Sequence, residues 1–206
     1  AAHYLLDRGF ANRILIVDLD VHQGNGNSEI FKDNRHVFTF SMHSKTNYPA
    51  KKSISDLDVE LEDDLEDDAY LKTLKFYINK LNNENFDFVF YIAGVDIHFN
   101  DRLGKLKISD EGIRQRDELV IENFSSKKIP ICGVLGGGYN KDFNKLVELH
   151  SILHQSCAKL IWIMSKKINP NLTGEQKLVL FEDGTEPPNT SELNHEKREG
   201  SFHCAN

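Results

Sequence analysis

The residues of this 206-residue chain best equipped for chemistry fall into three groups. In RILIVDLDVHQGNG an apolar stretch runs into Asp18, Asp20 and His22, which recur at every second position and so share one side of an extended chain. Burying unpaired charge is costly, so packing alone does not account for three ionisable groups on one face of so apolar a strand. A divalent cation compensates them most economically, with Asp20 and His22 as ligands, while Gly24 and Gly26 let the backbone turn tightly beside it. In FYIAGVDIHFNDRLG a second apolar stretch ends at Gly94 and presents Asp96, His98 and Asp101. Two such ends on one rim of a sheet can supply three protein ligands and leave a coordination position open to water, which is the layout of a catalytic metal. The third group is VLGGGY, in which Gly136, Gly137 and Gly138 deliver Tyr139. Neither GxGxxG nor a phosphate-loop lysine is present, so the glycines read as a backbone closely approaching the site and the tyrosine as a donor to a developing oxyanion.

Groups placed like this need strands that end on a common rim. Short, nearly continuous apolar runs occur at residues 13–19, 37–42, 86–93 and 129–135, as in buried parallel strands. Between and after them, helical spacing covers roughly residues 28–32, 66–83, 109–125 and 140–166, with Ser109 placed to cap the third. The alternation predicts an α/β fold, a three-layer sandwich around a mostly parallel sheet with right-handed crossovers and its sites at the carboxyl ends of the strands. HYLLDRGF reads as the last turns of a helix closed by Gly9, and the first strand follows at once. The expectation is therefore a chain that opens inside a βα unit, incomplete at its N-terminus: a domain portion over residues 1–168, then a disordered tail over 169–206. That tail holds three of the five prolines and LVLF as its one apolar run.

With 39% hydrophobic residues the chain can bury a core, and a net charge of −7 argues against binding nucleic-acid phosphates. The charge is local. Residues 56–68, DLDVELEDDLEDD, hold nine acids and no base, and without them the remainder would carry +2. Leu57, Val59 and Leu61 alternate with acids, as in an edge strand that turns its carboxylates to water. The acids that follow suit the start of a helix carrying Tyr70, Leu71, Leu74 and Ile78. Three cysteines without CxxC spacing exclude a cysteine zinc site and favour a reducing compartment, cytoplasm or nucleus. No stretch approaches the ~20 apolar residues of a membrane span, and the first ten residues lack a secretory pattern.

Taken in order and spacing, DLDVHQGNG, AGVDIHFNDRLGKLKIS and GGGY resemble the zinc-dependent histone deacetylase family, of the arginase/deacetylase superfamily, over about residues 3–162. HQGNG, DRLG and RDELV are most similar to its class IV branch. The resemblance implies one zinc ion held by Asp20, His22 and Asp96, and Tyr139 donating to the amide oxygen of an acyl-lysine as it becomes tetrahedral. Asp18 and Asn25 match the positions that orient the family's paired general-base and general-acid histidines. Asp18, Ser41 and Met42 match a structural potassium site, Gly137 an acyl-tunnel lining position, and Tyr48 a tunnel wall. The implied partner is an acylated protein such as a histone tail. The histidine pair itself precedes the DLD strand in the family, whereas only His3 does so here, and an impaired activity is the corresponding expectation.

The remaining polar residues have plainer readings: His98 at the rim, Asp101 as a loop carboxylate beside Arg102, His150 and His154 as helix packing, and Cys132 and Cys157 as core. Two functions compete with an acyl-lysine hydrolase. One is a small-molecule amidohydrolase of the acetylpolyamine or, with two metals, guanidine type; the other is a catalytically silent module that binds metal or acyl-lysine.

Overall fold

The computed structural model describes residues 1–168. The reading of a tail over 169–206 falls outside the described residues. Five parallel strands form one sheet, β1 (Ile14–Asp18), β2 (Val37–Ser44), β3 (Leu57–Leu61), β4 (Phe88–Ala93) and β5 (Ile131–Leu135), in the spatial order β3-β2-β1-β4-β5. The chain lays β1, β2 and β3 in one direction, then returns to place β4 on the other flank of β1. The gap between the carboxyl ends of β1 and β4 is thus the point where strand order reverses, where open α/β sheets bind their ligands.

Helices α3 (Asp67–Leu81), α4 (Asp110–Ser126) and α5 (Phe143–Ile168) cover one face. Tyr70, Leu74 and Ile78 of α3, Ile113, Val120 and Phe124 of α4, and Leu149, Ile152 and Leu153 of α5 pack there on Leu15, Val17, Phe40, Val89 and Tyr91. On the other face α1 (Ala2–Asp7) and α2 (Asn25–Phe31) supply Ala2 and Phe31 against Ile14, Ile16 and Val37. This is the expected three-layer α/β arrangement, and its sheet is wholly parallel. Gly9 ends the first helix as expected, in the left-handed region at φ 68°. Among the described residues no helix is long and apolar enough to cross a membrane.

Three expectations are corrected. The run at 129–135 is not a buried strand: β5 lies at the sheet edge with residues 132–135 exposed, and Cys132 is therefore no core residue. Its periodicity is that of a covered strand, but no described element lies beyond it. The helix after β1 begins at Asn25 rather than near residue 28. The acids of 56–68 are also less free than solvated carboxylates. Asp56 accepts from the Thr39 amide, Asp58 from Gln23 Nε2 and the Ser55 amide, and Asp63 from the hydroxyls of Ser44 and Thr46. The Thr46 hydroxyl, with help from Ser44 and Lys105, holds the Asp63 carboxyl below the ordinary range against the opposing effect of burial.

Candidate metal centre

Strand β1 ends at Asp18, so the period-two spacing of Asp18, Asp20 and His22 does not continue as strand; Asp20 and His22 belong to the turn after it. The register pairs Asp18 with Ile92 of β4, which sets the segments carrying Asp20 and Asp96 side by side. There one ligand atom each from Asp20, His22 and Asp96 lies within 4.8 Å of the others. His22 Nδ1 sits 2.9 Å from Asp20 Oδ1 and 3.1 Å from Asp96 Oδ2. The outer oxygens are anchored by backbone: the Val21 amide donates to Asp96 Oδ1 at 2.8 Å and the Gly137 amide to Asp20 Oδ2 at 2.7 Å.

The electrostatics are those of a cation site. Burial lifts Asp96 to about 6, with the neighbouring Asp20 charge adding to it, while His22 hydrogen bonding acts the other way. Asp20, despite its burial, is held low by His22 and the His22 and Gly137 amides. Hydrogen bonds that His22 donates to Asp20 and Asp96 raise it to about 10. Both carboxylates thus converge on His22 Nδ1, the nitrogen that would face a metal. Two carboxylates and an imidazole with ligand atoms this close are a donor set that fits Zn²⁺ with an open position, and also Fe²⁺ or Co²⁺.

The glycine loop after β5 closes the floor. A Cβ built on Gly137 would lie 2.0 Å from Asp96 Oδ2 and 2.6 Å from Asp20 Oδ2, so only a residue without one fits. Gly137 is placed against the ligand carboxylates themselves. Tyr139 follows, 42% exposed, its ring edge-on to His22 with centroids 6.1 Å apart. Partial burial and the charges of Asp96, Asp20 and Asp101 raise its hydroxyl above the ordinary value, which keeps the proton needed for donation.

Asp18 stands apart from the ligand group. Its carboxylate accepts from the Asp20 amide at 3.2 Å and from Asn27 Nδ2 at 3.4 Å, and burial, with Asp20 nearby, lifts it to about 7. Ser41 is its register partner on β2, and Ser41 Oγ accepts from the Gly24 amide and lies 2.9 Å from Nδ1 of the buried His43. Met42, next along β2, is fully buried. Asn25, matched to an orienting position, opens α2, and its amide donates to Gln23 O; Asn27 is the neighbour that touches Asp18. Tyr48 is largely exposed and joined to Pro49 by a cis peptide, and its carbonyl accepts from the Gln23 amide. His3 is not in that group and packs against Phe31 with tilted rings, centroids 5.1 Å apart.

Sequence reasoning underrated several supports. His98 is buried rather than at the rim: Nδ1 accepts from the Asn100 amide and Nε2 donates to Asp110 at 2.9 Å, a neutral tautomer consistent with burial lowering its pKa. Asp101, read as a partner of Arg102, accepts the amides of Leu103 and Gly104 on one oxygen and the Tyr139 amide on the other at 2.7 Å. It thereby ties the Asp96 loop to the tyrosine. Arg116, inside RDELV, is fully buried. The partners that matter most, Tyr139 for Asp101 and the Gly94 and Leu19 carbonyls for Arg116, lie tens of residues away in sequence, and no local pattern announces them.

A family model described as the histone deacetylase domain matches residues 1–152. An uncharacterised protein of Picosynechococcus sp. is 47% identical over 157 residues, covering 76% of this chain and 52% of its own. Histone deacetylase 2 of Arabidopsis thaliana is 36% identical over 151 residues, covering 70% of this chain and 38% of its own. In fold, an acetylpolyamine aminohydrolase from Burkholderia pseudomallei matches with a TM-score of 0.63 at 19% identity, over 72% of this chain and 46% of that one. The chain spans about half or less of the length of these relatives.

Proposed function

The chain belongs to the histone deacetylase domain family, and on that premise we propose that it serves zinc-dependent hydrolysis of the amide bond of acyl-lysine. The observation that carries the reading is the convergence of Asp20, His22 and Asp96 ligand atoms within 4.8 Å, beside Tyr139. Zinc bound there would polarise the acyl carbonyl and lower the pKa of the attacking water. The chain's own part is to hold the ion with Asp20, His22 and Asp96, fix the two carboxylates through the amides of Val21 and Gly137, and donate the Tyr139 proton to the carbonyl oxygen. Asp101 fixes the backbone from which that tyrosine projects.

The proton relay is a separate matter. Among the described residues the metal-capable group contains one imidazole, His22, and His3 packs elsewhere. These residues hold metal and carbonyl without a general base, and turnover slower by about 10²- to 10⁴-fold for each missing group is expected from them alone. Asp18 and Asn25 are the residues we assign to orienting such a base. The buried Asp18, raised to about 7 and facing Ser41 across the register, favours a potassium ion there with Met42 contributing backbone. HQGNG, DRLG and RDELV support the class IV branch, and the substrate we assign is an acylated protein such as a histone tail, in cytoplasm or nucleus. The relatives' names, histone deacetylase and acetylpolyamine aminohydrolase, both denote deacylation of an amine, and the higher sequence identity lies with the former.

The test is calorimetric binding of a simple alkyl hydroxamate to the zinc-loaded chain, followed by acyl release from acyl-lysine peptides and from acetylated polyamines. Micromolar or tighter hydroxamate binding that Asp96→Asn abolishes is expected, with slow release from peptides exceeding that from polyamines. Absence of hydroxamate binding would remove the hydrolase reading, and faster turnover of polyamines would favour the small-molecule alternative.

A further inference from the structure

The largest fully buried side chain in the described residues is a cation that the proposed reaction does not use. Arg116 projects from the middle of α4 with no exposure. Its Nε and Nη2 lie 2.9 and 2.8 Å from Asp117 Oδ1, the oxygen to which the Tyr91 hydroxyl also donates at 2.5 Å. The remaining nitrogen, Nη1, donates to the Gly94 carbonyl at 2.5 Å and reaches the Leu19 carbonyl at 3.5 Å. Leu19 immediately precedes Asp20, and Gly94 lies two residues before Asp96. One guanidinium therefore spans the two strand ends whose next residues converge on the metal-capable group.

Stability gives no sufficient reason for the arrangement. Desolvating a guanidinium and a carboxylate costs several kcal/mol per ion as an order of magnitude, and a well-packed apolar pair of similar volume is often as stable. What an apolar pair cannot do is hold two carbonyls from separate strands at a fixed separation. A planar guanidinium, held through Nε by Asp117 and directing the two hydrogens of Nη1 at the two carbonyls, does that. The same helix grips the far side of the Asp96 loop, because the Asp110 carboxylate accepts from His98.

Resting on the metal-centre reading above, we propose that Arg116 is a positioning residue for that centre, its guanidinium fixing the spacing of the Asp20 and Asp96 segments through the Leu19 and Gly94 carbonyls.

Two variants of the full chain test it: Arg116→Lys, which keeps the charge but loses the planar guanidinium, and the apolar triple Arg116→Met, Asp117→Leu, Tyr91→Phe, which removes every charge and leaves no orphaned Tyr91 hydroxyl. Circular dichroism and thermal midpoints identify the folded variants. Zinc affinity by competition with a chromophoric chelator and the visible spectrum of the Co²⁺-loaded protein are then read well below the midpoint. Expected in a folded variant are a tenfold or greater loss of zinc affinity and altered cobalt bands, neither of which a remote core ion pair would produce. Unchanged affinity and spectrum in either folded variant would overturn the proposal. So would unfolding of both, which would make Arg116 a requirement of the fold as a whole. Failure of the wild-type chain to bind zinc would instead overturn the metal-centre reading itself.

Discussion

At residue 137 an added methyl group would meet Asp96 Oδ2 at 2.0 Å and Asp20 Oδ2 at 2.6 Å, where real Cβ atoms are not found. Gly137→Ala is accordingly expected to weaken zinc binding by about a hundredfold or more, roughly 3 kcal/mol, in a chelator competition, and to lower the thermal midpoint of the apo chain as the buried carboxylates are displaced. Tyr139→Phe separates holding the metal from using it: zinc affinity stays at the wild-type value, while acyl release falls by about 10²- to 10³-fold, the usual effect of losing one oxyanion donor. Asp18 makes a pH prediction. Its pKa is raised from 3.8 to about 7 by burial, so the folded chain keeps a proton that the unfolded chain has lost, and stability is lost as pH rises through that window. In potassium-free buffer Asp18→Asn is expected to gain stability over wild type between about pH 4 and 7 and to hold the gain above 7. Its size is up to about 4 kcal/mol as an order of magnitude, and a difference curve flat in pH by thermal melts would contradict a strained carboxylate. Asp20, His22 and Asp96 were legible in the sequence because ionisable groups at the ends of apolar runs have few structural uses. Asn27, Asp101 and Arg116 were not, because their roles are set by atoms as far away as Tyr139 and Leu19, which only the fold brings near.

Among the elements, the helices and strands were legible to within a few residues wherever an apolar period met a capping or breaking residue. Ser109 is the clearest case: its hydroxyl accepts from the Gly112 amide at 3.0 Å and donates to Asp67 Oδ2 at 2.5 Å, joining the start of α4 to the start of α3. Ser109→Ala is expected to cost about 1–2 kcal/mol of stability, measured by denaturant unfolding, with zinc affinity unchanged because the ligand group is not touched. A loss of zinc affinity equal to that of Gly137→Ala would show that the start of α4, and not only Arg116 at its middle, positions the centre. Burial of individual strands was less legible. The run ICGVL has the same composition at a sheet edge as in a sheet centre, and β5 turned out to be exposed where β1 is fully covered. The strand order that puts β4 beside β1, and so makes the site, has no local signature either.

For the molecule as a whole, the acidic character belongs to residues 56–68, and the structure uses several of those acids as caps and loop clasps rather than as an open charged face. The family match over residues 1–152 and the switch point between β1 and β4 both direct attention to one small group of atoms. The central claim is that Asp20, His22 and Asp96 form a mononuclear metal centre, and metal counting by native mass spectrometry on the zinc-equilibrated chain, beside Asp96→Asn, tests it most directly. One zinc per wild-type chain and none retained by Asp96→Asn is the predicted result. No bound zinc in wild type, two ions per chain, or full retention by Asp96→Asn would contradict it.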